Sequence, residues 1–238
     1  MNSNEKHPQV LGIIPARSGS KGVPDKNISM VRSKPLIFWT IDAAKKAKNL
    51  DKIIVSTDSE KYASICENYN IQVPFLRPAE LSSDEATSED VIIHAVKWMK
   101  KNKQYNPEYI LYLQPTSPLR TASDIDKAIN IAEEKQAHSV VSVELANRHP
   151  YFMKKIDHTG LISHYKRQKV PTPRRQDLEP IYVLNGAIFL IRTEIILNNK
   201  SWYEDKCYSY IMPSKKSIDI DSPNDLHIAD FLLKDCEK

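Results

Sequence analysis

QVLGIIPARSGSKGVPDKN, residues 9–27, joins an apolar half to a basic, glycine-bearing half. The apolar half, through Ala16, is a short run bounded by turn formers, the pattern of a strand buried on both faces. The second half holds Gly19 and Gly22, two of only five glycines in the chain. Glycine lets a backbone turn sharply and approach a ligand, presenting N–H groups to anionic oxygens. Arg17, Lys21 and Lys26 add three cations just past the strand's carboxyl end, the edge where open α/β sheets take ligands. A solvated basic turn would have the same composition. Two known phosphate loops do not fit. A Walker A loop needs GxxxxGK[ST], and here Val23-Pro24 follows Gly22; the dinucleotide fingerprint GxGxxG lacks its first glycine.

Outward from this stretch, strands alternate with helices. PLIFWTIDAAKKAK (35–48) reads as a helix with Pro35 at its first position, and KIIVST (52–57) as a second strand. A helix near 59–69 and a short strand near 71–75 follow. Val91, Ile92, Ala95, Val96 and Met99 recur at helical spacing over 87–102. YILYLQ (109–114) is a strand ending in the turn PTSPLR, 122–135 is a helix, and HSVVSVEL (138–145) is a further strand. Such alternation predicts βαβ units and a largely parallel sheet. From 146 to 185 the pattern breaks into short alternating stretches and the Pro-rich VPTPRRQDLEP, which reads as a hairpin-and-loop insertion. NGAIFLI (185–191) returns to the core and a last helix covers 224–234. One domain over 1–238 is expected, with 146–185 inserted in it.

Hydrophobic residues make up 41% and charged residues 27%, ordinary globular values. The net charge of +4 suits small acidic substrates, but no Lys/Arg run of five or more and no RNP or zinc-finger motif accompanies it, so no nucleic-acid partner is expected. No apolar run of about 18 residues occurs, so no membrane partner is expected. MNSNEKHP (1–8) lacks the apolar core of a signal peptide. Cys66, Cys207 and Cys236 form no CxxC and read as reduced thiols of a cytoplasmic protein. The histidines show no HExxH and no Ser-His-Asp context, which removes a metalloprotease or serine hydrolase reading.

IPARSGSKGVPDKNI (14–28) resembles the signature of the acylneuraminate cytidylyltransferases. FLRPAELSSDEATSEDVIIHA (75–95), LQPTSPLRT (113–121), NGAIFL (185–190) and SIDIDSPNDL (217–226) look like further blocks of that family, in order, so the resemblance covers essentially the whole chain. It implies an α/β, Rossmann-like three-layer nucleotidyltransferase domain with a mostly parallel sheet and a small dimerisation appendage. The reaction implied is attack of a sugar's anomeric hydroxyl on the α-phosphate of CTP, with loss of pyrophosphate. The sugar implied is an acidic nine-carbon one.

What the family resemblance implies can be assigned residue by residue. Ala16, Arg17, Ser20, Lys21, Lys26 and Asn27 border the nucleotide from the loop, and Arg77, Ala86 and Ser88 border cytosine and ribose. Taken alone, Ser88 also suits a helix N-cap. Gln114, Arg175, Asn185, Gly186, Phe189, Trp202 and Tyr203 belong to the sugar site, and Arg120 holds the turn or that pocket. Arg17, Lys26, Asp219 and Asp221 are the catalytic set. Alternation along SIDID turns both acids to one face, and two carboxylates with phosphate oxygens and water suit Mg2+; two solvated acids would read the same way in isolation. Asp225 reads as structural. The appendage implies a homodimer in which one subunit completes the other's sugar site. Two departures, Phe152 where sialic-acid enzymes can carry lysine and Trp202-Tyr203 where some carry Phe-Phe, keep legionaminic and pseudaminic acids open. The QPTSPLR and SIDID blocks favour the nine-carbon branch over 3-deoxy-manno-octulosonate. A silent nucleotide-binding homologue remains the alternative of another class.

Overall fold

Val10, Leu11, Ile13 and Ile14 are fully buried, so the strand they form, β1 (Val10–Pro15), is covered on both faces as its unbroken apolar run predicts. The computed structural model describes residues 7–20, 22–166, 174–198 and 201–234. β1 lies in a six-stranded sheet. From edge to edge the order is β10 (Cys207–Ile211), β6 (Ser139–Leu145), β9 (Tyr182–Arg192), β5 (Tyr109–Tyr112), β1 and β4 (Lys52–Ser56). β9 runs antiparallel to β5 and β6, while the other neighbouring pairs are parallel.

Each face of the sheet is closed by helices whose apolar stripes the sequence spaces for the purpose. On one face α1 (Leu36–Lys46), α2 (Glu60–Asn68) and α4 (Ala122–Glu134) pack Ile37, Ile41, Tyr62 and Ile125 against Ile14, Val55 and Leu111. On the other, α3 (Ser88–Lys103) and α5 (Thr193–Leu197) pack Val91, Ile92, Val96 and Ile195 against Leu11, Ile13 and Ile110. Each such fully buried Leu or Ile contributes roughly 1.5–3 kcal/mol. The result is the expected three-layer α/β domain. A third cluster brings Ile220, Ala229 and Leu233, from the segment before and within α6 (Pro223–Leu233), onto Val31, Leu36 and Leu119. That cluster seats the acidic segment beside the first loop.

Two small ribbons stand off the sheet: β2 (Met30–Val31) with β3 (Lys34–Pro35), and β7 (Lys154–Ile156) with β8 (Ile162–His164). The second is the expected hairpin, and every residue of its strands is exposed. Two expectations need correction, and one strand was not foreseen. Pro35 precedes α1 rather than opening it, because its extended backbone pairs with Met30 in the first ribbon. The segment 71–75 forms no strand; Gln72 and Leu76 make only isolated bridges to Ile54 and Thr57. β10 was not anticipated: CYSYI is short, and its apolar residues Cys207, Tyr208, Tyr210 and Ile211 do not alternate with polar ones, yet it adds to β6 as an edge.

Candidate active site

The glycine loop leaves β1 at the carboxyl edge of the sheet and is braced at both ends. Asp58 accepts hydrogen bonds from the Ser18 N–H and hydroxyl, both at 2.9 Å. Asp25, in a left-handed conformation (φ 51°), is held by Lys61 at 2.7 Å and the Tyr62 hydroxyl at 2.9 Å. Buried Asn27 donates its amide to the Arg17 carbonyl at 3.0 Å, closing the loop on itself. These ties hold the loop without using Lys26 or Ser20, which face a cleft of about 390 Å³.

The acidic segment forms the opposite side of this loop. Lys26 Nζ donates to the Ile220 carbonyl at 2.7 Å and lies 3.2 Å from Asp221 Oδ1. Gly22 explains why the two segments can approach: a Cβ there would stand 2.4 Å from the Asp221 carbonyl oxygen. Ile220 is fully buried and Ile218 packs on the same cluster, so alternation turns Asp219 and Asp221 away from the core together, as expected. Ile220 N–H also bonds the Thr116 carbonyl at 2.9 Å, tying the segment to the PTSP turn.

Arg77 forms the inner wall. It is 5% exposed, and its Nε and one terminal nitrogen have no partner among the described residues. Burial depresses its pKa, the expected response of a cation deprived of water. An unpaired buried guanidinium is costly, and an anionic or carbonyl-bearing ligand in the adjoining cleft would relieve that cost. Ala86 and Ser88 line the cleft beside it. Ser88 is not the helix cap. Thr87 is: its hydroxyl accepts from the Asp90 N–H at 3.1 Å, and the Asp90 carboxylate accepts from the Thr87 N–H at 3.1 Å. Ser88 instead bonds the hydroxyl of Tyr112, a buried cleft residue that sequence reading missed because it sits inside an apolar strand. Arg17 points at the cleft mouth and pairs with Asp84 at 2.9 Å.

Gln114, two residues past the end of β5, lines the cleft near Asp219. The point where a Gly186 Cβ would stand is 3.0 Å from Gln114 Oε1 and 3.3 Å from Asp219 Oδ2, and Gly186 has φ +72°. A side chain there would be strained and would fill the notch between these two groups. Asp219 keeps one side open to solvent, yet protein atoms crowd the others. That burial pushes its carboxyl above the usual carboxylate range; a bond from Thr116 opposes the shift and the neighbouring charge of Asp221 adds to it. Asp221 is the more open of the two, its side chain 80% exposed and paired with Lys26. The two carboxylates are hard oxygen donors of the kind that a divalent cation completed by phosphate oxygens and water accepts. Asp225 is structural: it caps α6 through Ser222 and accepts the Asp221 N–H at 3.1 Å.

Other expected contacts lie elsewhere. Ala16 packs its side chain in the core. The Asn185 side chain is spent inside the fold, accepting from the Ser142 hydroxyl at 2.6 Å and donating to the Ser217 hydroxyl at 2.9 Å. Phe189 stacks edgewise on Trp202 (centroids 5.4 Å apart) in the core cluster under α3 and α5, and Trp202 is only 6% exposed. Neither ring lines the cleft, whereas Tyr203 is exposed. Lys21 and the side chain of Arg175 lie outside the described residues. Among the described residues, no helix is long and apolar enough to cross a membrane.

A family model described as cytidylyltransferase matches residues 11–219. The chain is 41% identical to an N-acylneuraminate cytidylyltransferase of Streptococcus agalactiae serotype V over 94% of its own length, but spans only about half (53%) of that relative. It is 36% identical to the CMP-N,N'-diacetyllegionaminic acid synthase of Legionella pneumophila, covering 95% of this chain and 97% of the relative. Among solved structures, a CMP:2-keto-3-deoxy-manno-octonic acid synthetase complexed with CTP has the same fold (TM-score 0.71, 15% identity, 95% of this chain and 99% of that one).

Proposed function

The chain belongs to the cytidylyltransferase family, alongside the N-acylneuraminate cytidylyltransferases and the CMP-legionaminic acid synthases, and on that premise we propose that it transfers CMP from CTP to the anomeric hydroxyl of an acidic nine-carbon sugar. One observation carries the reading. A cationic glycine loop, a buried arginine with two unpaired nitrogens and the exposed Asp221 carboxylate line a single cleft, and Asp219 stands at the Gly186 notch beside the cleft residue Gln114.

Phosphoryl transfer asks little covalent chemistry of the protein; it asks for positioning and charge neutralisation. Arg17, Lys26 and the Ser20 region draw the triphosphate along the loop. Lys26 supplies a point charge and Arg17 a planar fork at the mouth, where Asp84 gives way to phosphate. Arg77 and Ser88 take the cytidine, since a polar ligand satisfies donors that are otherwise buried unpaired. Gln114 and the notch kept open by Gly186 receive the sugar. Its hydroxyl oxygen bonds to the α-phosphorus as the bond to the β-phosphate oxygen breaks; pyrophosphate departs with that electron pair, and the hydroxyl proton leaves to solvent water. Asp219 and Asp221 would hold Mg2+, which when bound neutralises phosphate charge and polarises the α-phosphate.

We assign the hairpin a homodimer role. Ile156, Leu161 and Ile162 are each more than 60% exposed, and a two-stranded ribbon is marginal unless its apolar face is covered. A second copy supplies that cover. The reaction is placed in the cytoplasm, where CTP is made and where free Cys66 and Cys207 stay reduced.

The test is pyrophosphate release from CTP with N-acetylneuraminate, legionaminate, pseudaminate and 3-deoxy-manno-octulosonate. Turnover with a nine-carbon acid is expected. Turnover with the octulosonate alone would reassign the sugar, and none with any acid would favour a silent homologue.

A further inference from the structure

Arg120 carries a charge that nothing in the steps above uses. It is 2% exposed, and the hydrogen bonds of its guanidinium all end on neutral oxygens. One terminal nitrogen donates to the Ala187 carbonyl at 2.6 Å and the Gln114 carbonyl at 3.3 Å; the other donates to the Thr40 hydroxyl at 2.7 Å and the Gln114 carbonyl at 3.4 Å. Nε has no partner among the described residues. Asp124 acts on it only through space, being bonded itself to Thr121, Tyr210 and Lys216. A desolvated cation held by neutral groups is a poor way to gain stability. Its position in the turn between β5 and α4, against two strand ends, points to another purpose.

The β5–β9 ladder ends at the pair Tyr112↔Phe189. Two more steps in that register would set Gln114 against Ala187, the residues whose carbonyls the guanidinium bonds. The planar fork therefore stands where ladder hydrogen bonds stop, and it sets how far the two strand ends part. The parting is what forms the notch: Gln114 lies on one side, Gly186 on the other, and Asp219 Oδ2 reaches into it. We infer that Arg120 is a positioning residue that fixes the width of the sugar side of the cleft and leaves a fixed positive charge behind it. Lysine would supply the charge without the fork. The inference rests on the reading of the cleft as a site for CTP and an acidic sugar.

The test compares wild type, Arg120→Lys and Arg120→Met by CTP calorimetry and by KM and kcat for the sugar that the wild type turns over. Arg120→Met should raise the sugar KM by about tenfold or more while CTP affinity stays within about twofold, and Arg120→Lys should recover only part of the loss. Equal losses toward both substrates, or an unchanged sugar KM, would overturn the inference. If Arg120→Met does not fold, Thr40→Val, which removes only the hydroxyl that steadies the fork, should raise the sugar KM by about threefold with CTP affinity kept; no rise would overturn it equally. A wild type that binds CTP but turns over no acid overturns the inference together with the underlying reading, whereas active wild type with an indifferent Arg120→Met overturns the inference alone.

Discussion

Lys26 Nζ lies 3.2 Å from Asp221 Oδ1, across a sequence separation of 195 residues. The contact is possible because Gly22 lets the Asp221 carbonyl come where any side chain would block it. The cationic loop and the acidic segment are thus one wall, built from the two ends of the domain. In the resting protein each holds the charge that the other needs neutralised. A triphosphate with its metal would separate the pair and take up both.

That arrangement separates function from stability at Asp221. Its side chain is 80% exposed, and an exposed ion pair is worth only about 0–1 kcal/mol. Asp221→Asn is therefore expected to leave the unfolding temperature nearly unchanged while lowering pyrophosphate release by about a hundredfold or more. A near-normal rate would remove Asp221 from the metal set.

Arg77 should behave in the opposite sense. Its buried, unpaired nitrogens cost the ligand-free protein free energy, so Arg77→Met should match or exceed the wild type in thermal stability. CTP affinity in the same variant should fall by about tenfold or more, since a buried charged hydrogen bond is worth about 1.5–3 kcal/mol. Thermal melts with and without CTP give both numbers. A destabilised variant with intact CTP affinity would make Arg77 structural.

Asp124 offers a pH test of the fold itself. Burial alone would raise its pKa, but hydrogen bonds from Thr121, Tyr210 and Lys216 outweigh it and hold the carboxyl below its ordinary value. A depressed carboxyl stabilises the fold above its unfolded pKa and loses that contribution as pH falls through the folded one. Asp124→Asn should thus cost about 1–3 kcal/mol near neutrality. The gap from wild type should close in acid, below the usual carboxylate range. Denaturation curves at several pH values check this; a gap independent of pH would contradict it.

For the hairpin, the expected mass at micromolar concentration is that of a dimer. Ile162→Lys, on its exposed strand, should shift the protein toward monomer without lowering CTP affinity. A monomeric wild type would refute the assigned role.

Much of this was legible in the chain because the determinants are local. The run VLGIIP specifies a doubly covered strand, and the stripe Val91, Ile92, Ala95, Val96 and Met99 specifies a helix face. What escaped depended on distant partners. β10 is a strand because β6 offers it an open edge, not because CYSYI alternates. Tyr112 reaches the cleft because β5 ends there, and within YILY it cannot be told from core. Trp202 looks like a pocket wall beside Tyr203, but Phe189 and the helices above draw it into the core. Thr87 rather than Ser88 caps α3 because the box needs an acid three residues on, and Asp90 is that acid for Thr87.

The most direct measurement is a double-mutant cycle on magnesium–CTP affinity, using Arg17→Met from the loop and Asp219→Asn from the acidic segment. If both groups hold one triphosphate and its ion, the double variant should bind more tightly than the product of the single losses predicts, by about threefold or more. Losses that simply multiply would show that the two ends of the chain act at separate sites.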